Sequence, residues 1–521
     1  MRKIILSCAV MFFVIFMQTQ IFATTYIVTK AADTNDGTCD SDCSLREAIA
    51  VATSGDTINF NASYTITLSS QLTINKNLTI TGYSDDPDDT IIRAHEYPDT
   101  VTWRVFEITS GYTVVLGYMT IQNGNIEGSG YQYGGGIKNA GTLTLDHINL
   151  TGNKVEMTSG DWAYGGGVYS SGTLTIVDSY IHDNTALCTV GITKCIGGGI
   201  SFNTSSATAS LTISNSTISD NISNTYNRMG SGGGISFNNS ATTCATSKIY
   251  NTTIYNNKLL TGGGFGAGID ISSYNCSYSL EITASTITEN TYTGGSDILG
   301  GGLSSSGNDT KLKSTIIANN DGTEGPDCCD QYGTLSSYGY NFIEDNSDCG
   351  ITNTEGSNTY STDPLFEATD EDGETEGNQC PTLCPDDTTN CLLCNNGGST
   401  YTIKLSSSST AKEAWSGSLT RIDGTSMTLD QRTYSRTSSY STGAYEYGGA
   451  LFEGSLDDMD FSGDTGDTNS EFNESQTEVY SSGCGFIGTS NKVIGDEGFL
   501  ILLLLGSLSL ILRFRSIKEI K

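Results

Sequence analysis

The chain has 521 residues and carries 25 Lys and Arg against 58 Asp and Glu, a formal net charge of −33, which argues strongly against nucleic acid or anionic lipid as a partner. Gly is abundant at 61 and Pro scarce at 6, with many Ser, Thr and Asn and few helix formers. That composition sets aside a mainly helical fold, and a length beyond one ordinary globular core suits a repeat stack with appended modules.

The chain opens Met1-Arg2-Lys3, runs apolar from Ile4 to Phe16 and reaches Ala23-Thr24-Thr25. This pattern predicts a secretory signal peptide over 1–23, cut after Ala23. The apolar run before Cys8 is too short for a lipoprotein signal. Removing Cys8 with the signal leaves fourteen of the fifteen cysteines, expected as disulfides in an oxidising compartment.

Residues 24–95 are expected to form an N-terminal cap and the first strands. Tyr26-Ile27-Val28-Thr29 reads as a strand. Ser44 followed by Glu47 three residues later is a capping box, and Leu45, Ala48 and Ile49 would share one face of a short helix. Cys43 to Ile49 spells CSLREAI, and by that motif the chain resembles a family of exported bacterial proteins in which it precedes a right-handed parallel β-helix. The resemblance implies a Cys39–Cys43 pair. Asp56 to Phe60, Ile66 to Leu68, Leu72 to Ile74 and Leu78 to Thr81 follow as strands, then Phe106 to Ile108 and Val114 to Ile121.

Within 96–320 a unit recurs six times. Each copy opens on a glycine cluster and an apolar residue, from Gly134-Gly135-Gly136-Ile137 to Gly300-Gly301-Gly302-Leu303, at a period of 31 to 35 residues. Inside each copy an apolar residue is followed five positions later by another and three after that by Asn: Leu145, Leu150, Asn153; Ile176, Ile181, Asn184; Ile213, Ile218, Asn221; and so on to Leu312, Ile317, Asn320. Alternation with Thr at period two is strand. Short strands joined at Gly and Asn corners make one coil of a parallel β-helix, all-β and single-stranded. Stacked about 4.8 Å apart, the Leu and Ile positions become internal ladders and the Asn positions a hydrogen-bonded column. The short N-terminal helix would cover the open end of this stack. The glycine-Ile and Ile-x-x-Asn units are similar to those of polymorphic outer membrane proteins.

Two cysteine pairs follow from position. Cys244 and Cys276 occupy nearly the same place on adjacent coils, and Cys188 with Cys195 would close one inter-coil loop. The segments from each Asn to the next glycines vary most. They are expected to project from one edge as ligand-contact loops, with Trp162, Tyr164, Tyr226 and Tyr292 available to stack on sugars.

After Asn320 the repeat signature fails. Pro326-Asp327-Cys328, Gly339 to Ile343, Asp363-Pro364-Leu365, Asn395 to Gly398, Asp430-Gln431-Arg432 and Gly443 to Glu446 resemble, in order, the choice-of-anchor Q domain, expected as a β-rich module over 321–450. The inserted Cys380, Cys384, Cys391 and Cys394 have spacings that suit zinc or disulfides, and the absence of a nearby His favours disulfides. Residues 451–483 have the composition of an acidic disordered spacer. Cys484-Gly485, the apolar run 499–512 and the basic end resemble Cys-Gly-type C-terminal sorting signals. That resemblance implies processing or attachment at Cys484 by a sorting protease, and at least transient contact with a membrane; a plain membrane anchor is the other reading.

No cofactor is expected. The acidic stretches, including Asp370 to Glu374, allow weak Ca²⁺ binding at most. His95, His147 and His182 do not share a column, and Asp146 and Asp178 read as corner residues, so no catalytic constellation stands out. The sequence therefore points to a non-enzymatic adhesion or recognition protein, exported to the cell surface or outer membrane or secreted. It would recognise a glycan or protein ligand; a β-helix polysaccharide lyase or glycoside hydrolase is the alternative.

Overall fold

The computed structural model describes residues 23–449 except 190–193, 226–228, 261–262, 273–279, 295–297, 307–308, 331–332, 354, 368–391, 395, 397 and 437. The signal peptide save Ala23, the spacer, Cys484-Gly485 and the run 499–512 lie outside the described residues, as do Tyr226, Cys276, Cys380, Cys384, Cys391 and the stretch 370–374.

The described chain is a right-handed parallel β-helix with very little helix. Strands pair in parallel with their equivalents one coil away. Leu150 lies beside Ile181, Ile181 beside Ile218, Ile218 beside Ile254, Ile254 beside Ile287 and Ile287 beside Ile317. All six are fully buried, because every second residue of each strand points inward, where no single coil could cover it. The intervening Thr and Ser face outward. Phe202 and Phe237 stack inside at 5.3 Å between ring centroids.

Besides the glycine clusters, two corners per coil hold the backbone at positive φ, mostly at non-glycine residues. One column runs Tyr118, His147, Asp178, Asn215, Asn251, and the other Asn123, Asp183, Asp220, Asn256. Asp and Asn predominate here because their short polar side chains tolerate the left-handed region.

Next to the second corner stands the expected Asn column. Asn221 Oδ1 accepts from the Asn184 backbone N–H and side-chain amide at 3.1 and 3.0 Å. Its own amide donates to Ile181 O, Ser219 O and Asn257 Oδ1. The same pattern links Asn153, Asn184, Asn221, Asn257, Asn290 and Asn320. Asp327 ends it by accepting from Asn320.

The described parts of the segments between Asn and the glycines are strands. Asn125–Ser129, Lys154–Ser159, Thr185–Cys188, Ile222–Thr225, Lys258–Leu260 and Thr291–Thr293 form one six-stranded parallel sheet. A second sheet runs from Gln132–Tyr133 to Ile298–Leu299. Between them lie small cores such as Val155, Met157, Ala163, Ala186, Cys188 and Cys195. Stacking lets each segment pair its backbone groups with the neighbouring coil.

The CSLREAI stretch is a structural staple. Cys39 and Cys43 are bridged, Ser44 caps the helix Leu45–Val51 in a full capping box, and Leu45, Ala48 and Ile49 join the main core. Arg46 forms a bidentate pair with Asp33 at 2.9 and 2.8 Å and donates to Ser70 O and Gln71 O. Glu47 accepts from Ser44 N, Asp36 N and Thr34. Chiefly through the Ser44 backbone N–H, its pKa is lowered from 4.5 to about 2. A depressed carboxyl pKa stabilises the fold above the unfolded value, and that contribution is lost as pH falls. Acid unfolding should therefore acquire a component between about pH 4.5 and 2. Glu47→Gln should remove that component, as read by melting temperature against pH.

Cys188–Cys195 forms as expected. Cys244 is disulfide-bonded, its expected partner Cys276 being outside the described residues. Cys394 is also disulfide-bonded, which removes it from the zinc reading. Cys328–Cys349 is a further bridge, and Cys329 is free and buried.

Coiling does not stop at Asn320. Cys328–Asp330 pairs with Leu303–Ser305, and parallel pairing continues to Thr359–Tyr360. Antiparallel pairing begins at Phe366–Glu367 with Thr402–Leu405. The later segment lies on the outer face of the coils. Gln431 donates to Thr217 Oγ1 and Tyr401 O and accepts from Thr253, while Arg436 donates to Asn251 Oδ1 at 3.0 Å.

Candidate functional site

Where the cover formed by the C-terminal segment ends, a cleft of about 680 Å³ opens on the outer face of the coils. Its floor comes from four successive coils, through Asn149, Tyr180, Asp220 and Tyr255, with Asn149 beside Tyr180 in register. The short helix Pro87–Asp89 and its flanking Asp85 and Asp86 form one wall, and Ser399, Thr400 and Tyr401 the other. Thr400 Oγ1 donates to Asn215 O at 3.0 Å, fixing the far wall to the corner column.

Two His–Asp pairs face this space. His147 Nδ1 lies 2.7 Å from Asp146 Oδ1, and its ring stacks on Tyr118 at 4.5 Å. His182 Nδ1 lies 2.7 Å from Asp183 Oδ2 and its Nε2 2.8 Å from Asn149 Oδ1, with the ring stacked on Tyr180 at 3.9 Å. Tyr180 and Tyr401 meet edge to face at 5.1 Å. Burial works against the imidazolium of His147, but Asp146 and Asp178 outweigh it and raise its pKa. Burial also raises the Asp178 carboxyl, against the pull of His147 and of Ser399, which donates to Asp178 Oδ1 at 3.1 Å. Asp220 is raised by burial too, while accepting from Ser219 and Asn256.

The arrangement offers paired acid–base groups, aromatic edges and many hydrogen-bonding side chains in one concave site. Asp146, His147 and Asp178 also bring donor atoms within 4.8 Å of one another, close enough to share a cation. That mixed nitrogen and oxygen set suits a transition metal better than Ca²⁺.

His147 and His182 do occupy different columns, as the sequence indicated, yet only a short strand separates the columns, so both reach the same cleft. Sequence reasoning treated Asp146 and Asp178 as solvated corners and missed Asp183, Asp220 and Tyr401. The legible signal was the recurrence of Asp at corner positions.

The expected ligand-contact aromatics are elsewhere. Tyr164 is buried among Tyr133, Tyr169 and Trp162. Trp162 is half-buried under Lys194 at 5.6 Å, and Tyr292 packs against the small core of Leu259, Ala267 and Ile298. These side chains fill the stacked strands between Asn and glycine and do not reach the cleft lining.

Among the described residues no helix is long and apolar enough to cross a membrane. No family model matches the chain, and no curated protein does. The chain is similar to a solved structure, the crystal structure of pectate lyase Pel9A, at 13% identity and a TM-score of 0.38, covering 82% of this chain and 97% of that one. A likeness at that level speaks to neither substrate nor mechanism.

Proposed function

We propose that the protein is an exported, surface-displayed β-helix of the CSLREAI type that binds a glycan in the cleft between Asp85–Asp88 and Ser399–Tyr401. One observation carries the reading: a single concave site joins the rings of Tyr180 and Tyr401 to side chains that donate and accept hydrogen bonds. Sugars need both features, ring faces against their C–H surfaces and polar groups for their hydroxyls. Export rests on the N-terminal signal and on the disulfides, and display on the tail around Cys484, which a sorting protease would process. Intact mass of the native protein, with or without residues beyond Cys484, tests that last step.

A second reading, glycan cleavage, is favoured by the Asp178 carboxyl, whose burial beside the Asp146–His147 pair suits a general acid. Calorimetric titration with a panel of defined oligosaccharides, followed by mass analysis of the incubated sugars, separates the two readings. Tyr401→Ala should weaken binding at least about tenfold without lowering the melting temperature by more than a few degrees. Binding untouched by that change places the glycan elsewhere. Shortened products that vanish with Asp178→Asn establish cleavage; unaltered sugars leave recognition alone.

A further inference from the structure

We infer that the glycan bound in this cleft carries free amino groups, as in a chain of deacetylated hexosamine units. The inference rests on the reading of the cleft as a glycan site and adds the ligand's charge.

Among the described residues six carboxylates line the space, those of Asp85, Asp86, Asp88, Asp178, Asp183 and Asp220, and no Lys or Arg does. Elsewhere the chain pairs its acids with bases: Arg46 with Asp33, Lys138 with Glu107, Lys154 with Glu156 and Lys248 with Asp423. Among the described residues no Lys or Arg forms an ion pair with any of the six cleft acids. Their partners are neutral donors or histidine. Thr120 and Asn149 donate to Asp88 Oδ1 at 2.7 and 3.4 Å, Ser399 donates to Asp178, and Ser219 and Asn256 donate to Asp220. His182 faces Asp183.

Even with His147 and His182 both protonated and the buried Asp178 and Asp220 carboxyls neutral, the carboxylates of Asp85, Asp86, Asp88 and Asp183 less two imidazolium groups leave two negative charges uncompensated. A concave wall concentrates such a field. It would repel a uronate-bearing chain and does nothing for a neutral one. Ammonium groups on alternate faces of a sugar chain would complete the pairing while the pyranose rings lie against Tyr180 and Tyr401, where cation–π contact adds to stacking.

The test titrates the purified protein with four hexasaccharides: β-1,4-glucosamine, its N-acetylated form, β-1,4-glucose, and galacturonate with and without Ca²⁺. The expected result is binding of the glucosamine chain at least about tenfold tighter than of its N-acetylated form, with the preference falling as salt is raised. Asp183→Asn, at an exposed rim position, and Asp220→Asn should each reduce that preference. Melting curves of both variants check that the fold is intact, and Asp183→Asn alone suffices if Asp220→Asn is unstable. Equal or tighter binding of the acetylated, neutral or uronate chain overturns the inference and leaves the glycan reading standing. Binding of none of the four overturns both.

Discussion

Replacing Arg432 with methionine should destabilise the protein by about 3–5 kcal/mol, the cost of breaking a buried ion pair from one side. The guanidinium is almost wholly buried. It donates to Asp430 Oδ2 from Nε and Nη2 at 2.9 and 2.8 Å, and to Asn396 O and Glu446 O. It also lies between Tyr434 and Tyr445, 4.1 and 3.8 Å from the ring centroids. Methionine fills much of that volume but leaves the Asp430 carboxylate buried with no cation.

The loss reaches the cleft because Gln431, the next residue back, holds Thr400 and Tyr401. Limited proteolysis should cut the segment after Phe366 sooner in the variant, and glycan binding should fall with it. Adding Asp430→Leu should recover part of the stability, since it removes the stranded charge. A variant that melts with the parent protein would show that the clamp does not hold this segment down.

Gly198→Ala should be worse, with a loss of at least about 4 kcal/mol or no folded protein at all. A Cβ at Gly198 would sit 2.4 Å from Gly233 O and 2.5 Å from the carbonyl carbon and oxygen of Ile222. All three are backbone atoms, so no side chain can turn aside. Relief requires parting the coils, and Gly198 N donates to Gly232 O across that same step. The neighbour Gly197 sits at φ +71°, where a side chain is strained for a different reason. Gly117 is the control: its added Cβ would meet only Asp146 O at 3.6 Å, so Gly117→Ala should change stability by less than about 1 kcal/mol. Equal melting temperatures for the two variants would contradict the close approach of the glycine clusters.

The coil was legible because its determinants are local and repeated. Ile181, Ile218, Ile254 and Ile287 hold fixed offsets from the next Asn, and packing demands those offsets. The capping box at Ser44 and Glu47 was legible for the same reason, since both members of the contact lie in one turn. The stacked strands between Asn and glycine were not, because their lengths differ from coil to coil and their pairing partners lie a full period away. Continuation past Asn320 was hidden because the glycine cluster gives way to Gly325-Pro326-Asp327 and Asp327 takes over from Asn as acceptor, although Ile343 keeps the Ile column and the geometry persists.

The cleft was least visible of all. Its walls come from Asp85–Asp88 and from Ser399–Tyr401, far apart in sequence, and its acids sit at corners that any β-helix must turn. Only register on the coil face brings Asp178, Asp183 and Asp220 to one opening.

The Asn column also sets how this architecture can change in length. Each rung shows the same acceptor to one side and the same donor to the other, so two rungs from different heights fit together as well as true neighbours. Excising one whole period rejoins matching surfaces, whereas removing half of one sets an aliphatic ridge against a carboxamide. The fold can grow or shrink only in complete steps.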